Sequence, residues 1–186
     1  MDDIVKQAMG KWPNVPACYG WLGLDARGNW YMRTEQVQRM GAFACGHADA
    51  KGSLLQHDKL IAFIHRNYAS DRQGQWYFQN GPQRVFVELE ISPWIWRVQE
   101  DFSLCAHTGA LTHSTACLTD EYGWLYLGTP LGLGVVHTQD MVLAVQAIES
   151  GLWTPHSVLR SELPKRYGYI LSPAQGQNAH FFMQIR

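Results

Sequence analysis

Asp71-Arg72-Gln73-Gly74-Gln75-Trp76-Tyr77-Phe78 reads as a turn that opens directly into a strand. An Asp at the first turn position has a carboxylate that accepts from backbone N–H groups two residues on. A Gly three residues later takes the positive φ that closes a short hairpin loop. Aromatic residues after the Gly suit a pleated, half-buried strand. The same spacing recurs in Asp25-Ala26-Arg27-Gly28-Asn29-Trp30-Tyr31 and in Asp120-Glu121-Tyr122-Gly123-Trp124-Leu125-Tyr126. Three β-hairpins are expected. They define architecture and carry no chemistry of their own.

Between and beyond the hairpins the chain alternates strand and helix patterns. Val85, Val87, Leu89 and Ile91 share one face, and Arg84, Phe86, Glu88 and Glu90 the other. Ser92-Pro93 breaks this strand, and Trp94, Trp96 and Val98 resume the alternation. Further strands are expected at 104–107 and 114–119, with a turn at Thr108-Gly109. A short helix over 2–12 is stopped by Pro13. A main helix follows the capping-box spacing Ser53-Leu54-Leu55-Gln56, with Leu60, Ile61, Ile64 and Tyr68 as its stripe. A second main helix takes Thr138 as N-cap, buries Met141, Val142, Val145 and Ile148, and ends at Gly151. The Gly-rich stretch 34–53 reads as a surface excursion.

Composition bounds the rest. A chain of 186 residues with 46% hydrophobic and 17% charged residues is a folded globular protein with a sizeable core. A net charge of −1 gives no general reason for a nucleic-acid partner, and no apolar run is long enough for a membrane span. The N-terminus is acidic where a secretory signal is basic, so a cytoplasmic protein with reduced thiols at Cys18, Cys45, Cys105 and Cys117 is expected.

Hairpin, helix, Gly-x-Trp and hydrophobic-Ser-Pro occur twice in the same order. The first pass ends in Gly74-Gln75-Trp76 and Ile91-Ser92-Pro93, the second in Gly151-Leu152-Trp153 and Leu171-Ser172-Pro173. The expected fold is therefore α+β: antiparallel hairpins and short strands with two main helices, arranged as two related halves, 1–100 and 101–186, or as one compact unit. The run Gly81-Pro82-Gln83-Arg84-Val85-Phe86-Val87-Glu88, the Asp-x-x-Gly hairpins and the helix start Val136-His137-Thr138-Gln139-Asp140-Met141 resemble an uncharacterised proteobacterial family of unknown function over most of the chain. More distantly, the element order is similar to another uncharacterised family, a two-part α+β fold with repeated motifs. That second resemblance implies a role in signalling or ligand sensing. Neither family supplies a catalytic residue.

Candidate sites are few. Cys105, His107, His113 and Cys117 have zinc-ligand chemistry, but no Cys-x-x-Cys knuckle is present and core packing is the favoured reading; no metal and no cofactor are expected. Cys45-Gly46-His47 has thiol-hydrolase residue types without the geometry that such catalysis needs. Gly132-Leu133-Gly134 is half of a phosphate fingerprint. His137, Thr138 and Asp140 lie where a helix N-terminus offers free N–H groups to a small anion. Trp94 and Trp96 project from one strand face, as core or as an aromatic platform. The leading reading is a non-enzymatic ligand-binding or sensing module with His137, Thr138, Asp140, Trp94 and Trp96 as binding residues. The alternatives are an enzyme assembled around His137 and Asp140 or His57 and Asp58, and a structural domain that binds a protein partner or forms a homo-oligomer.

Overall fold

The computed structural model describes residues 1–176, so the last ten residues of the expected second half lie outside the described residues. Its strands form two sheets. The first contains β1 (Cys18–Leu24), β2 (Trp30–Met32), β3 (Ser53–Leu54), β4 (Tyr68–Ser70), β5 (Trp76–Asn80) and β6 (Gln83–Leu89), in the order β3-β2-β1-β6-β5-β4. The second contains β7 (Trp94–Val98), β8 (Leu104–Ala106), β9 (Leu111–Thr112), β10 (Ala116–Thr119), β11 (Leu125–Thr129), β12 (Gly132–Val136) and β13 (Pro155–Ser157). Its order is β13-β10-β11-β12-β7-β8-β9. The α-helices that pack with them include α1 (Asp3–Lys11), α2 (Glu35–Arg39), α3 (Ala48–Lys51), α4 (Asp58–Arg66), α5 (Met141–Glu149) and α6 (Leu163–Tyr167). The class is α+β. No helix among the described residues is long and apolar enough to cross a membrane.

The chain divides into two compact units. One comprises Met1–Asp25, Asn29–Glu90 and residues 170–176; the other comprises Ala26–Gly28 and Ile91–Tyr169. The division between residues 90 and 91 precedes the boundary near 100, because Trp94–Val98 is an interior strand of the second sheet.

The Asp-x-x-Gly turns form as their chemistry requires. Asp71 Oδ1 accepts from the N–H groups of Gln73 and Gln75, each at 2.9 Å, and Asp120 Oδ1 accepts from Tyr122 at 3.0 Å and Trp124 at 2.9 Å. Asp25 Oδ1 accepts from Asn29 at 2.8 Å. Gly28, Gly74 and Gly123 sit at φ 83, 80 and 80. The same backbone closure joins β7 to β8 without either signature residue. There Gln99 N–H bonds Ser103 O, Phe102 N–H bonds Gln99 O, and Phe102 takes φ 62. That hairpin carries no Asp-x-x-Gly signal.

Neither sheet is wholly antiparallel. β1 and β6 pair in parallel, as do β7 and β12, and β10 and β13. Each central parallel pair joins two antiparallel ladders, a closure between strands distant in sequence that no hairpin motif announces. The topology also places the second Gly-x-Trp differently from the first. Gly74 lies in the β4–β5 turn, whereas Gly151-Leu152-Trp153 leads from α5 toward edge strand β13.

Three local expectations are corrected. Ser53 and Leu54 are edge strand β3, and the cap of α4 is His57, whose ring accepts from Leu60 N–H at 3.2 Å. Residues 34–53 are anchored, not merely looped out. Phe43 is buried against Gly23, and Arg33, itself buried, donates to Ala50 O (2.9 Å), Gly41 O (2.6 Å) and Gly20 O (3.4 Å). α5 buries Ala144 and Ala147 and leaves Val142 and Val145 70% and 44% exposed, opposite to the expected stripe. Small residues on the inner face of a helix let its backbone approach its support closely.

Two glycines give a test of backbone against packing. Gly74→Val is expected to cost roughly 1–2 kcal/mol through left-handed strain. Gly134→Ala is expected to cost roughly 1–3 kcal/mol through overpacking, since its Cβ would meet Trp96 Nε1 at 2.4 Å. Asn tolerates the left-handed region, so in urea denaturation Gly74→Asn should recover most of the loss while Gly134→Asn recovers none. Equal recovery at both positions would contradict this assignment.

Candidate functional site

His137, Thr138 and Asp140 lie together at the end of β12, but the structure uses them on one another and on Arg97. Thr138–Asp140 is a 3-10 turn that precedes α5, and its cap is His137, not Thr138. His137 Nδ1 accepts from Gln139 N–H at 3.2 Å, and His137 O accepts from Asp140 N–H at 3.0 Å. Two of the amides expected to meet an anion are therefore already engaged. Asp140 forms a two-point ion pair with Arg97, at 2.6 and 3.0 Å, and accepts from Val98 N–H at 3.1 Å. Burial pushes its carboxyl up. The Arg97 and Val98 bonds, with the charges of Arg97 and His137, outweigh this and hold it below the usual carboxylate range. An arrangement that stabilises its own carboxylate is not one that attracts another anion.

Trp94 and Trp96 are core. They are 8% and 0% exposed, stack at 5.7 Å and 14°, and donate to Leu131 O (2.8 Å) and Leu127 O (3.0 Å). Gly132 and Gly134 on neighbouring β12 give the indoles room. The Gly-x-Gly pair thus serves packing, and these two indoles form no open platform.

The four zinc-type residues do not converge. β8 carries Cys105 and β10 carries Cys117, and β7, β12 and β11 lie between these strands. Four spacings of about 4.8 Å put them near 19 Å apart. Cys105 lies opposite Arg97 and Leu111, Cys117 opposite Leu127 and Pro155. All four cysteines are free, and burial pushes the Cys117 thiol up to about 11. Cys45 is exposed and His47 caps α3 without a side-chain bond; His57 and Asp58 open α4.

The site that sequence reasoning missed lies in the first unit. α4 packs on the sheet through Ile64, through Phe63 edge-on to Phe78 (5.4 Å) and through His65, whose Nε2 accepts from Trp30 Nε1 at 2.9 Å. Burial lowers the His65 pKa, which suits the neutral ring that this acceptor role needs. Beside the helix a cleft of ≈ 340 Å³ remains, walled by Trp21, Leu22, Met32, Leu60, Ile64 and Phe78. Its polar groups are the Cys18 thiol and the amides of Asn80 and Gln83. Trp21 and Met32 are 43% and 51% exposed, so large apolar side chains stand open around a concave surface. The available signal was the apolar alternation of β6 meeting the Leu60/Ile64 stripe, which marks a shared face without showing that the helix covers only part of it.

The family model DUF2944, described as "Protein of unknown function (DUF2946)", matches residues 1–174. No curated protein matches the chain. Among solved structures, a DUF1285 family protein from Silicibacter pomeroyi DSS-3 is similar, with 8% identity, a TM-score of 0.45 and 68% of each chain covered.

The Arg97–Asp140 pair predicts a pH signature. The folded pKa of Asp140 lies below the unfolded value of about 3.9. The stability it contributes is therefore complete above that pH and is lost as pH falls through the folded value. Arg97 is half-exposed, so Asp140→Asn is expected to cost about 1–2 kcal/mol at pH 7, between exposed and fully buried pairs. Urea unfolding of both proteins should show this gap closing below about pH 4. A gap that stays constant down to pH 3 would contradict the assignment.

Proposed function

The chain belongs to the DUF2944 family of unknown function, and we propose that it is a binding module for a small, largely apolar molecule held in the cleft between α4 and the first sheet. The observation that carries this reading is the open apolar wall of Trp21, Met32 and Leu60 around a concavity of ≈ 340 Å³. Concave, mainly apolar surfaces of this volume with a few polar groups are the usual form of small-molecule sites. Cys18, Asn80 and Gln83 can orient a carbonyl or hydroxyl group, and the lining contains no acid–base pair. Such a lining fits recognition or sensing better than turnover.

A second feature supports placing the site in the first unit. The repeated strand order, β3-β2-β1-β6-β5-β4 and β9-β8-β7-β12-β11-β10, supports two related halves with Asp71 and Gly74 answering to Asp120 and Gly123. In the second of these the central parallel pair carries the buried Trp94 and Trp96 over Gly132 and Gly134. The open cleft is then the specialisation of one half.

The test uses the neutral apolar fluorophore N-phenyl-1-naphthylamine. Saturable one-to-one binding is expected, weakened about tenfold by Met32→Lys or Leu60→Glu. Because Met32 is exposed, its substitution should leave stability within about 0.5 kcal/mol. Unchanged binding in both variants, or no saturable binding, would overturn the reading.

A further inference from the structure

The opposite face of the same sheet holds a second concavity, of ≈ 420 Å³. Met9, Val15, Ala17 and Pro82 form apolar walls, and Gln79 and Arg84 are its polar lining. β5 and β6 place Gln79 and Arg84 directly opposite each other, so their side chains leave one face with Cβ atoms about 5 Å apart. Alternation sends Phe78 and Val85 to the α4 side and Gln79 and Arg84 away from it.

Both polar groups lack a complement. Arg84 makes no ion pair among the described residues. Its guanidinium lies 4.7 Å over the Tyr77 ring, which steadies it without neutralising it. Gln79 is 1% exposed, and its Nε2 donates to Gly81 O at 2.9 Å, which sets the orientation of the amide. The other end, Oε1, is buried and has no hydrogen-bond partner. Buried amide oxygens ordinarily find a donor. A cation without an anion therefore stands beside an acceptor without a donor, and no lining residue is acidic.

We propose that this concavity binds a small carboxylate that carries an O–H or N–H donor on the adjacent carbon and an apolar side chain. Arg84 takes the carboxylate in a two-point ion pair, the geometry for which a guanidinium is suited. Gln79 Oε1 accepts from the neighbouring donor, and Met9, Val15 and Pro82 enclose the apolar remainder. The volume is about fourteen times a water molecule's share of the liquid, room for a ring-bearing acid. The proposal does not depend on the α4 cleft.

Three related probes separate the contributions: phenyllactate, 3-phenylpropanoate, which lacks the donor, and phenyllactamide, which lacks the charge. Titrations followed by amide ¹H–¹⁵N shifts should show phenyllactate binding about tenfold tighter than either of the others. The shifts should gather on residues 9–17 and 77–86. Arg84→Gln, at an exposed position, should erase the preference over phenyllactamide, and Gln79→Met the preference over 3-phenylpropanoate. Met32→Lys, on the other face, should leave all three affinities unchanged. Circular dichroism checks the fold of Gln79→Met, and Arg84→Gln decides the question if that variant does not fold. Equal binding of the three probes, no saturation at millimolar concentration, or an undiminished preference in Arg84→Gln would overturn the proposal.

Discussion

A carboxylate that accepts two backbone N–H groups across a five-residue turn is the constraint on which the sheets depend. In Asp71 and Asp120 one side-chain oxygen holds the N–H groups two and four residues on, while the Gly three residues on takes the left-handed conformation. Closing the loop sets the register of the strands it joins. A slip of one residue would send every following side chain to the other face. From the β4–β5 turn follows the pairing of Tyr68 with Phe78, and from the β10–β11 turn that of Thr119 with Leu125. The β7–β8 turn reaches the same closure with Phe102 in the position of Gly and Asp101 bonding Ser103. The conformation, more than the residue signature, is what the architecture requires.

Several charges in the interior are held by groups brought from elsewhere in the chain. Arg33 is satisfied by the Gly41 and Ala50 carbonyls of the irregular segment that it thereby ties down, and by Gly20 O of β1. Glu88 accepts from Ala174 N–H at 3.1 Å and from the Ser172 hydroxyl. Burial raises its pKa, only partly offset by those bonds and by Arg33. Asp120 accepts from Arg160 at 2.7 Å and from Tyr126 at 2.8 Å in addition to its turn. Asp140 and Arg97 belong to the same pattern, which is why an apparent ligand site at a helix start is a structural cap. Against that background Gln79 and Arg84 stand out, since both line one concavity, Gln79 Oε1 without a hydrogen bond and Arg84 without an ion pair among the described residues.

Much of the fold and little of the candidate site was legible from residues alone. The Asp-x-x-Gly turns, the β6 alternation and the existence of helices near 3–11, 58–66 and 141–149 depend on interactions between residues a few positions apart, and those positions are printed in the chain. Asp25, Asp71 and Asp120 needed nothing beyond their own turns to be placed. The pairing of Gln79 with Arg84 was also within reach, because Gly81 and Pro82 leave only a two-residue connection. Tertiary structure decided what local pattern cannot encode. It paired β1 with β6 and β7 with β12 in parallel, and it separated Cys105 from Cys117 by three intervening strands. It turned Ala144 and Ala147 inward in place of two valines, and it left one side of α4 open over Leu22 and Met32. These outcomes rest on which distant surfaces meet. The free energy of such contacts depends on shape and burial across the folded chain, whereas a turn is determined by hydrogen bonds that close within five residues.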